Sequence, residues 1–262
     1  MTPHSLEDLP GPGTDPLEGK PLPPHLPLDA YYSSEAERIR FLRRIFDRTA
    51  RHYELASSLL SLGTGERYRA FALRRLGLGP GLRVLDVATG TGLVARAAAR
   101  LVGPGGRVVG LDPSSGMLGR FRGRDAVRLA RGVAERLPFR DGSFDWLTMG
   151  YALRHIADLR STFAEYRRVL AAGGRLVLLD FVRPPGAVGY GLARFFMRML
   201  VPLASRLGGG GREAELLMKY CWDTVDQSVD PRRIARALEQ AGFSGLQTRV
   251  WAGVFAEYAA VR

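Results

Sequence analysis

The stretch Arg83-Val-Leu-Asp-Val-Ala-Thr-Gly-Thr-Gly92 decides the fold of this chain. Its first half, up to Val87, is a short apolar run typical of a buried strand, and the two glycines that follow permit a tight turn. A helical pattern begins directly after the turn, at Leu93. A strand that ends in a glycine turn and leads into a helix is typical of the first unit of an α/β sheet.

The same alternation continues along the chain. Strand patterns recur at GGRVVGLD, AVRLARG, FDWLTMG and GRLVLLDFV, with helical patterns between and after them, including TFAEYRRVLA and PRRIARALEQAGF. Because short connections rich in Gly, Pro and Asp join these elements, the pattern predicts a parallel sheet with helices on both faces. Two final apolar runs, GLQTRVW and GVFAEYAAVR, have no helix between them and predict an antiparallel hairpin at the sheet edge. The predicted fold class is α/β, doubly wound.

The rest of the chain divides into regions by composition. Its start is rich in Pro and Gly without periodicity, which predicts a flexible tail. An amphipathic helical run from Ser33 and a second helical run, about Glu66 to Leu76, precede the sheet. An apolar segment bounded by glycines comes after the fifth strand and is predicted to form a lid. The predicted regions are a tail at 1–32, an N-terminal helical cap at 33–78, and a domain at 79–262 with a lid insertion at about 185–220.

Bulk composition limits the cellular setting. The only cysteine among the 262 residues is Cys221, so no internal disulfide can form and a reducing, cytoplasmic compartment is expected. The first residues lack the basic start and apolar run of a signal peptide. The most apolar later stretch, 195–203, is far shorter than the roughly 20 residues that span a bilayer, so no transmembrane helix is expected. The net charge of +12 permits nucleic acid, an anionic membrane or an acidic small molecule as a partner, or only a solvated basic surface.

The glycine turn lies where open α/β sheets bind ligands, at the carboxyl ends of the strands. Gly90 and Gly92 allow close approach of a ligand to the backbone, a feature that a dinucleotide could also use. Asp86 separates the two possibilities: it would repel a pyrophosphate, but it can attract the ammonium group of S-adenosylmethionine (AdoMet), directly or through water. Ala95 also stands where the dinucleotide pattern has its third glycine. The turn therefore favours AdoMet, although Asp86 could alternatively serve only to organise the loop.

A second acid, Asp112, ends the strand RVVGLD. A carboxylate at this position can accept hydrogen bonds from both hydroxyls of a ribose. The alternative is that Asp112 caps the turn before Pro113. Asp86 and Asp112 end successive strands beside the glycine turn, and this combination indicates an AdoMet site more specifically than either acid alone.

Further segments resemble a known family. VAERLPF at 133–139 and DGSFD at 141–145 precede the fourth strand and give residues 80–185 the segment order of class I AdoMet-dependent methyltransferases. The motifs FDRTARHYELASSLLSLG, YALRHIADL, YRRVLAAGGRLVLLDFVRP and DPRRIARALEQAGF extend the likeness over most of 45–258. Together they resemble the UbiE-type ubiquinone/menaquinone biosynthesis C-methyltransferases. The resemblance implies a Rossmann-like class I methyltransferase sheet, an N-terminal helical extension and a lid after the fifth strand.

The resemblance also implies roles for single residues. It assigns Thr91 and Asp112 to contacts with AdoMet, the Val133-Ala134 pair to the adenine, and Gly150 to the methionine end. The predicted cofactor-binding set is Asp86, Ala88, Thr89, Gly90, Thr91, Gly92, Asp112, Pro113, Met117, Val133, Ala134, Glu135 and Gly150.

Some positions depart from the family pattern and bear on substrate choice. Val133 stands where Asp or Asn is usual, so adenine recognition would depend on the backbone amide of Ala134 and on apolar contacts, including Met117 and Leu137. Gly150 replaces a common Ser. These changes leave the expected cofactor unaltered but leave the acceptor open.

Methyl transfer requires alignment, exclusion of water and a route for one proton, and no metal is predicted. The resemblance implies that Tyr53 and Arg154 face the methyl-transfer pocket. Arg154 could stabilise a developing phenolate, and His155, which replaces the family's Asn, could accept the proton directly or through water. As alternatives, His155 serves only at a helix start and Tyr53 only in a helical core. The predicted catalytic residues are Arg154, His155 and Tyr53.

The predicted reaction is AdoMet-dependent methylation of a ring carbon in a quinol, phenol or related hydrophobic small molecule. Methylation of oxygen or nitrogen in a specialised metabolite is an alternative. The basic charge permits an RNA methyltransferase, although no RNA-binding domain is recognisable and nucleic acid is not the expected partner. The lid, with its arginines, could rest on the inner membrane surface where a lipid-tailed quinone resides; a homodimer contact and a plain core helix are the alternatives.

Overall fold

A computed structural model of the protein describes residues 21–60, 63–123 and 125–262. The strands are β1 Arg83–Val87, β2 Arg107–Asp112, β3 Arg128–Arg131, β4 Phe144–Gly150, β5 Leu170–Phe181, β6 Ser244–Trp251 and β7 Phe255–Val261. The helices are α1 Glu35–Thr49, α2 Tyr53–Leu60, α3 Gly65–Arg75, α4 Leu93–Val102, α5 Ser115–Gly119, α6 Leu159–Val169, α7 Ala187–Phe195, α8 Val201–Ser205, α9 Gly211–Asp226 and α10 Pro231–Gln240.

The strands form one sheet in the order β3-β2-β1-β4-β5-β7-β6. The first five strands in this order are parallel, whereas β7 runs antiparallel to both β5 and β6. This arrangement confirms the predicted Rossmann-like α/β sheet and its closing hairpin. Because β1 lies between β2 and β4, the carboxyl ends of these three strands meet at one edge, with Val87 beside both Leu111 and Met149.

Alternation along the central strands divides the core between two faces. In β5, Leu176 and Leu178 pack into the cluster that contains the buried sides of α6 and α10. Val177 and Leu179 pack into the cluster of α3 and α4 on the opposite face. Successive side chains of a strand point to opposite faces, so an almost continuous apolar run is needed where both faces carry helices.

Polar residues mark the starts of several helices. Asp158 accepts hydrogen bonds from the N–H groups of Arg160 and Ser161 at the start of α6. Ser114 and Asp230 cap α5 and α10 in the same way. Such side chains satisfy the backbone donors that a helix start leaves without partners.

The described part of the predicted tail, residues 21–32, differs from a flexible segment. It belongs to no helix or strand but packs against the domain. Leu22 is only 2% exposed, its N–H donates to Asp158 Oδ1 at 2.8 Å, and its carbonyl accepts from the Leu159 N–H. Leu28 is buried as well. Scattered leucines among prolines give no periodic signal, yet each can fill a gap in a core that other elements form. The first 20 residues of the predicted tail lie outside the described part.

The predicted lid is helical and extends beyond its expected end. It comprises α7, α8 and α9, joined by π-helical turns at Phe196–Leu200 and Arg206–Gly210, with non-helical backbone at Gly208 and Gly209. By length and composition the run Ala187–Asp226 is apolar enough to cross a membrane, a test that core helices also pass. However, α9 buries one face against α1, in a cluster that includes Leu217 and Tyr220.

Candidate active site

The glycine turn at the end of β1 adopts the backbone that its sequence requires. Ala88, Gly90 and Gly92 all have positive φ, at 54°, 58° and 92°. The Gly90 N–H donates to Asp112 Oδ2 at 2.8 Å, which joins the turn to the end of β2. A Cβ at Gly92 would lie 2.3 Å from the Phe121 ring, so only glycine fits there without displacement.

Asp112 lies on the wall of the cavity at this edge of the sheet. Its two carboxylate oxygens accept backbone hydrogen bonds from Gly90 and Ser114, both at 2.8 Å. Burial raises the pKa of Asp112 to about 6. Each oxygen retains a lone pair, so the carboxylate can still accept hydrogen bonds from a sugar diol.

Asp86 is buried behind the turn instead of lining the cavity. It is 1% exposed, and its Oδ2 accepts a 2.6 Å hydrogen bond from the Thr89 hydroxyl. Its Oδ1 has no hydrogen-bond partner in the described part of the chain. Burial raises the pKa of Asp86 to about 7. The position favours the loop-organising role or a water-mediated contact over direct contact with a ligand.

A cavity of about 460 Å³ connects most of the predicted site residues. From the predicted cofactor set, its wall contains Ala88, Gly90, Asp112, Pro113, Met117, Val133, Ala134, Glu135 and Gly150. The residues of that set that do not line the cavity are Asp86, Thr89, Thr91 and Gly92. Thr91 is buried, and its hydroxyl has no partner among the described residues. The structure therefore brings the strand-end residues together and leaves part of the turn behind the cavity wall.

The predicted catalytic residues line the same cavity, with Arg154 and His155 in the turn that follows β4. Arg154 is buried and forms an ion pair with Asp180, the penultimate residue of β5. The Arg154 guanidinium also lies 5.4 Å from the centroid of the Phe181 ring. Tyr53, at the start of α2, contacts Phe46 edge-on. Burial raises the pKa of the Tyr53 phenol, so it remains protonated at neutral pH.

His155 lies between two aromatic rings. It stacks on Tyr220 with ring centroids 5.6 Å apart and meets Phe46 edge-on at 5.2 Å. Its Nδ1 has no hydrogen-bond partner in the described chain, and its carbonyl accepts from Arg38. Burial, together with the charge of Arg154, lowers the pKa of His155 well below its usual value. The imidazole is therefore neutral at pH 7 and is a weak base.

Helices α1 and α9 and the ends of β5 and β7 supply an apolar wall that sequence patterns did not assign to the site. Phe46 comes from α1, Met218 and Cys221 come from α9, and Phe181 and Phe255 come from the ends of β5 and β7. These residues are far apart in sequence, and each also fits an ordinary core pattern. This part of the cavity suits a flat hydrophobic molecule.

Two charged residues of the site were also missed. Asp180 had a usable signal, because it is an acid at the end of an apolar strand, like Asp86 and Asp112. Arg69, on α3, had none, because it is one of several arginines in a basic helix. Arg69 is nevertheless buried and lines the cavity.

The residues present fit AdoMet. The glycine turn leaves room for close backbone approach, Asp112 faces the cavity, and the orphaned Asp86 Oδ1 lies directly behind the turn. An unpartnered buried carboxylate oxygen is costly unless a donor or a cation reaches it. A water molecule that also contacts the ammonium group of AdoMet would supply such a donor.

Comparisons with known proteins agree with this geometry. Residues 33–262 match the ubiE/COQ5 methyltransferase family. A demethylmenaquinone methyltransferase of Mycobacterium sp. (strain KMS) is 36% identical over 219 residues, which cover 83% of this chain and 92% of that protein. The ubiquinone/menaquinone biosynthesis C-methyltransferase UbiE of Hahella chejuensis is 30% identical, covering 79% and 84%. A SAM-dependent methyltransferase from Aquifex aeolicus shares the fold, with a TM-score of 0.54 and 18% identity over 79% of this chain and 97% of that one. The chain therefore belongs to the ubiE/COQ5 methyltransferase family and is an AdoMet-dependent methyltransferase.

Proposed function

We propose that this enzyme methylates a ring carbon of a quinol whose hydrophobic ring enters the aromatic end of the cavity. The observation that carries the proposal is the buried Arg154–Asp180 pair, which lies among aromatic side chains in the same cavity as Asp112 and the glycine turn. A quinol presents both a flat apolar ring and an acidic hydroxyl. The apolar wall and the guanidinium complement these two features, and the names of the relatives point to the same class of acceptor.

When bound, AdoMet supplies an electrophilic methyl group on its sulfonium. Asp112, the glycine turn and the Val133-Ala134 pair would hold the nucleoside, while the aromatic wall excludes water from the acceptor. Arg154 would stabilise negative charge on the acceptor oxygen, and that charge makes the neighbouring ring carbon nucleophilic. The methyl group gained at this carbon replaces one proton.

Arg154 is the stronger candidate for a catalytic residue. The lowered pKa of His155 leaves it able to accept a proton but poorly matched to neutral pH. We therefore propose that His155, which Phe46 and Tyr220 hold in place, mainly positions the acceptor. Substitution His155→Asn tests this role: turnover within about threefold of wild type fits positioning, and a loss above about 100-fold fits a proton acceptor.

The acceptor class is tested with purified enzyme, AdoMet and chemically reduced demethylmenaquinone of short side chain. A matched quinol with its ring hydroxyls methylated serves as control, because it cannot form the anion. Mass spectrometry should detect one added methyl group, and NMR should locate it on ring carbon only in the free quinol. Methyl transfer to oxygen, or no transfer while AdoMet binds normally, would contradict the proposal. Extracts of a deletion strain should correspondingly lack the methylated quinone.

We further propose that the lid rests on the cytoplasmic face of a membrane. Large apolar side chains form an exposed stripe along it at intervals of three or four residues: Val188, Leu192, Phe195, Met199, Leu203 and Leu207. Exposed arginines, Arg194, Arg198 and Arg206, accompany the stripe and suit anionic lipid headgroups. A lipid-tailed acceptor would then enter the cavity without leaving the bilayer.

Vesicle co-sedimentation tests this surface. Wild-type enzyme should bind vesicles containing phosphatidylglycerol at low salt, and Leu203→Glu/Leu207→Glu should abolish binding. Phe71→Glu is the matched control, because Phe71 is also exposed but lies on α3. The membrane contact would be overturned if the wild-type enzyme does not co-sediment with the vesicles. It would also be overturned if analytical ultracentrifugation shows a stable dimer that buries the stripe.

A further inference from the structure

Arg69 is a buried arginine on the cavity wall that forms no ion pair with any carboxylate in the described part of the chain. It is 6% exposed, and its Nε has no hydrogen-bond partner among those residues. One terminal nitrogen donates a long 3.3 Å hydrogen bond to the Ser57 hydroxyl, and the guanidinium lies 4.8 Å from the centroid of the Tyr151 ring.

The other buried arginines of the cavity differ in this respect. Arg38 is paired with Glu35, and Arg154 is paired with Asp180. A buried charge is costly unless an opposite charge and hydrogen bonds compensate it. An unpaired guanidinium that faces a ligand cavity is therefore suited to an anionic group of the ligand.

The fold locates Arg69 at the glycine-turn end of the cavity. Helix α3 packs against α4, which begins directly after the turn, and both contribute to one core cluster. Tyr151, under the guanidinium, directly follows Gly150 at the end of β4. Because Met149 pairs with Val87, these residues lie level with the start of the turn.

Two opposite charges thus flank the turn without pairing to each other: the Asp86 carboxylate behind it and the Arg69 guanidinium on the cavity wall. An α-amino acid carries an ammonium and a carboxylate on one carbon, and this pair of side chains has the complementary charges. We propose that Arg69 binds the carboxylate of the methionine moiety of AdoMet. This assignment depends on the cofactor of the family and not on the proposed acceptor.

Isothermal titration calorimetry separates this role from binding of an acceptor anion. The probes are S-adenosylhomocysteine, which has the carboxylate, and 5′-methylthioadenosine, which lacks the whole amino acid moiety. Arg69→Met should weaken binding of S-adenosylhomocysteine about 10- to 100-fold, the range for a charge-assisted hydrogen bond. Binding of 5′-methylthioadenosine should change by less than about twofold. Arg67→Met, an exposed arginine on the same helix, should change neither.

Unchanged affinity for S-adenosylhomocysteine in Arg69→Met would overturn the proposal and point to an acceptor anion instead. An equal loss for both ligands would overturn it as well, because it would indicate a structural role. If Arg69→Met fails to fold, wild-type enzyme is titrated with decarboxylated S-adenosylhomocysteine, which keeps only the ammonium. Affinity equal to that of the intact compound would then exclude a carboxylate contact. The carboxylate contact would be supported if decarboxylation weakens binding to the wild type by about tenfold or more and weakens binding to Arg69→Lys by less.

Discussion

At the scale of single residues, burial determines what each charged group of the site can do. Arg154 and Asp180 are both buried, so each is compensated chiefly by the other. Asp86 forms no such ion pair, and burial, with a smaller contribution from the charge of Asp112, raises its pKa to about 7. Burial also lowers the pKa of His155, reinforced by the charge of Arg154. Local sequence indicates where acids and bases stand, but their titration depends on neighbours that are distant in sequence.

Substitutions at Arg154 and Asp180 should distinguish the contribution of Arg154 to stability from its contribution to catalysis. Arg154→Met leaves the Asp180 carboxylate buried without its partner, so the free energy of unfolding in urea should fall by about 3–5 kcal/mol, and turnover should fall too. The double variant Arg154→Met/Asp180→Leu should regain most of the stability, because it removes both charges. Turnover should stay low in the double variant; its recovery would show that the guanidinium is not needed for the reaction.

Cofactor binding should depend on pH through Asp86. An ammonium group favours the charged carboxylate, so binding lowers the pKa of Asp86 from about 7. The affinity for S-adenosylhomocysteine should therefore be full above about pH 8 and decrease as the pH falls through 7, by up to about tenfold per unit. Calorimetry across this range measures the effect. Asp86→Asn should flatten the curve, and a flat curve in the wild type would rule out this coupling.

At the scale of elements, the site depends on close packing between the glycine turn and its neighbours. Gly92 combines positive φ with the contact to Phe121, whereas Gly150 packs so tightly on Val94 that a Cβ there would lie 2.6 Å from Cγ2. The second contact leaves no room for a side chain at Gly150, because Val94 fills the space. Substitution at one element is therefore limited by a residue on another.

Gly92→Ala should destabilise the enzyme and weaken cofactor binding together. A non-glycine residue at φ of 92° and a methyl group against the Phe121 ring should cost at least about 2 kcal/mol in the free energy of unfolding. Gly119→Ala is the matched control, since no atom lies near its Cβ position and its φ is not positive. Urea unfolding and calorimetry with S-adenosylhomocysteine measure both effects. Equal stability of the two variants would argue against the contact.

At the scale of the whole molecule, segments from both ends of the chain stabilise the site. Leu22 is hydrogen-bonded to Asp158 and Leu159 at the start of α6, directly after the turn that carries Arg154 and His155. The strand β7, near the C-terminus, supplies Phe255 to the cavity. Cavity shape is therefore a property of the assembled fold.

Leu22→Ala should cost about 2–5 kcal/mol in the free energy of unfolding, because it leaves a hole in the main core cluster. Leu26→Ala, in the same segment but at a residue that is 59% exposed, should change stability by no more than about 0.5 kcal/mol. Urea denaturation of both variants gives the comparison. Similar stability of the two would mean that the docked segment contributes little.

The sequence by itself determined the α/β class, the strand order along the chain, the closing hairpin, the cofactor and the family. These features depend on local signals: alternation of apolar residues, the glycine turn, and acids such as Asp112 at strand ends. The sequence did not indicate how residues 21–32 pack, because isolated leucines give no periodic pattern before a core exists to receive them.

Only the tertiary structure decided which predicted residues share a cavity. It placed Asp86 behind the turn, paired Arg154 with Asp180, and brought Arg69 to the cavity wall. The physical reason is that burial and charge compensation depend on distances between elements far apart in sequence. The spacing of residues along the chain does not indicate these distances.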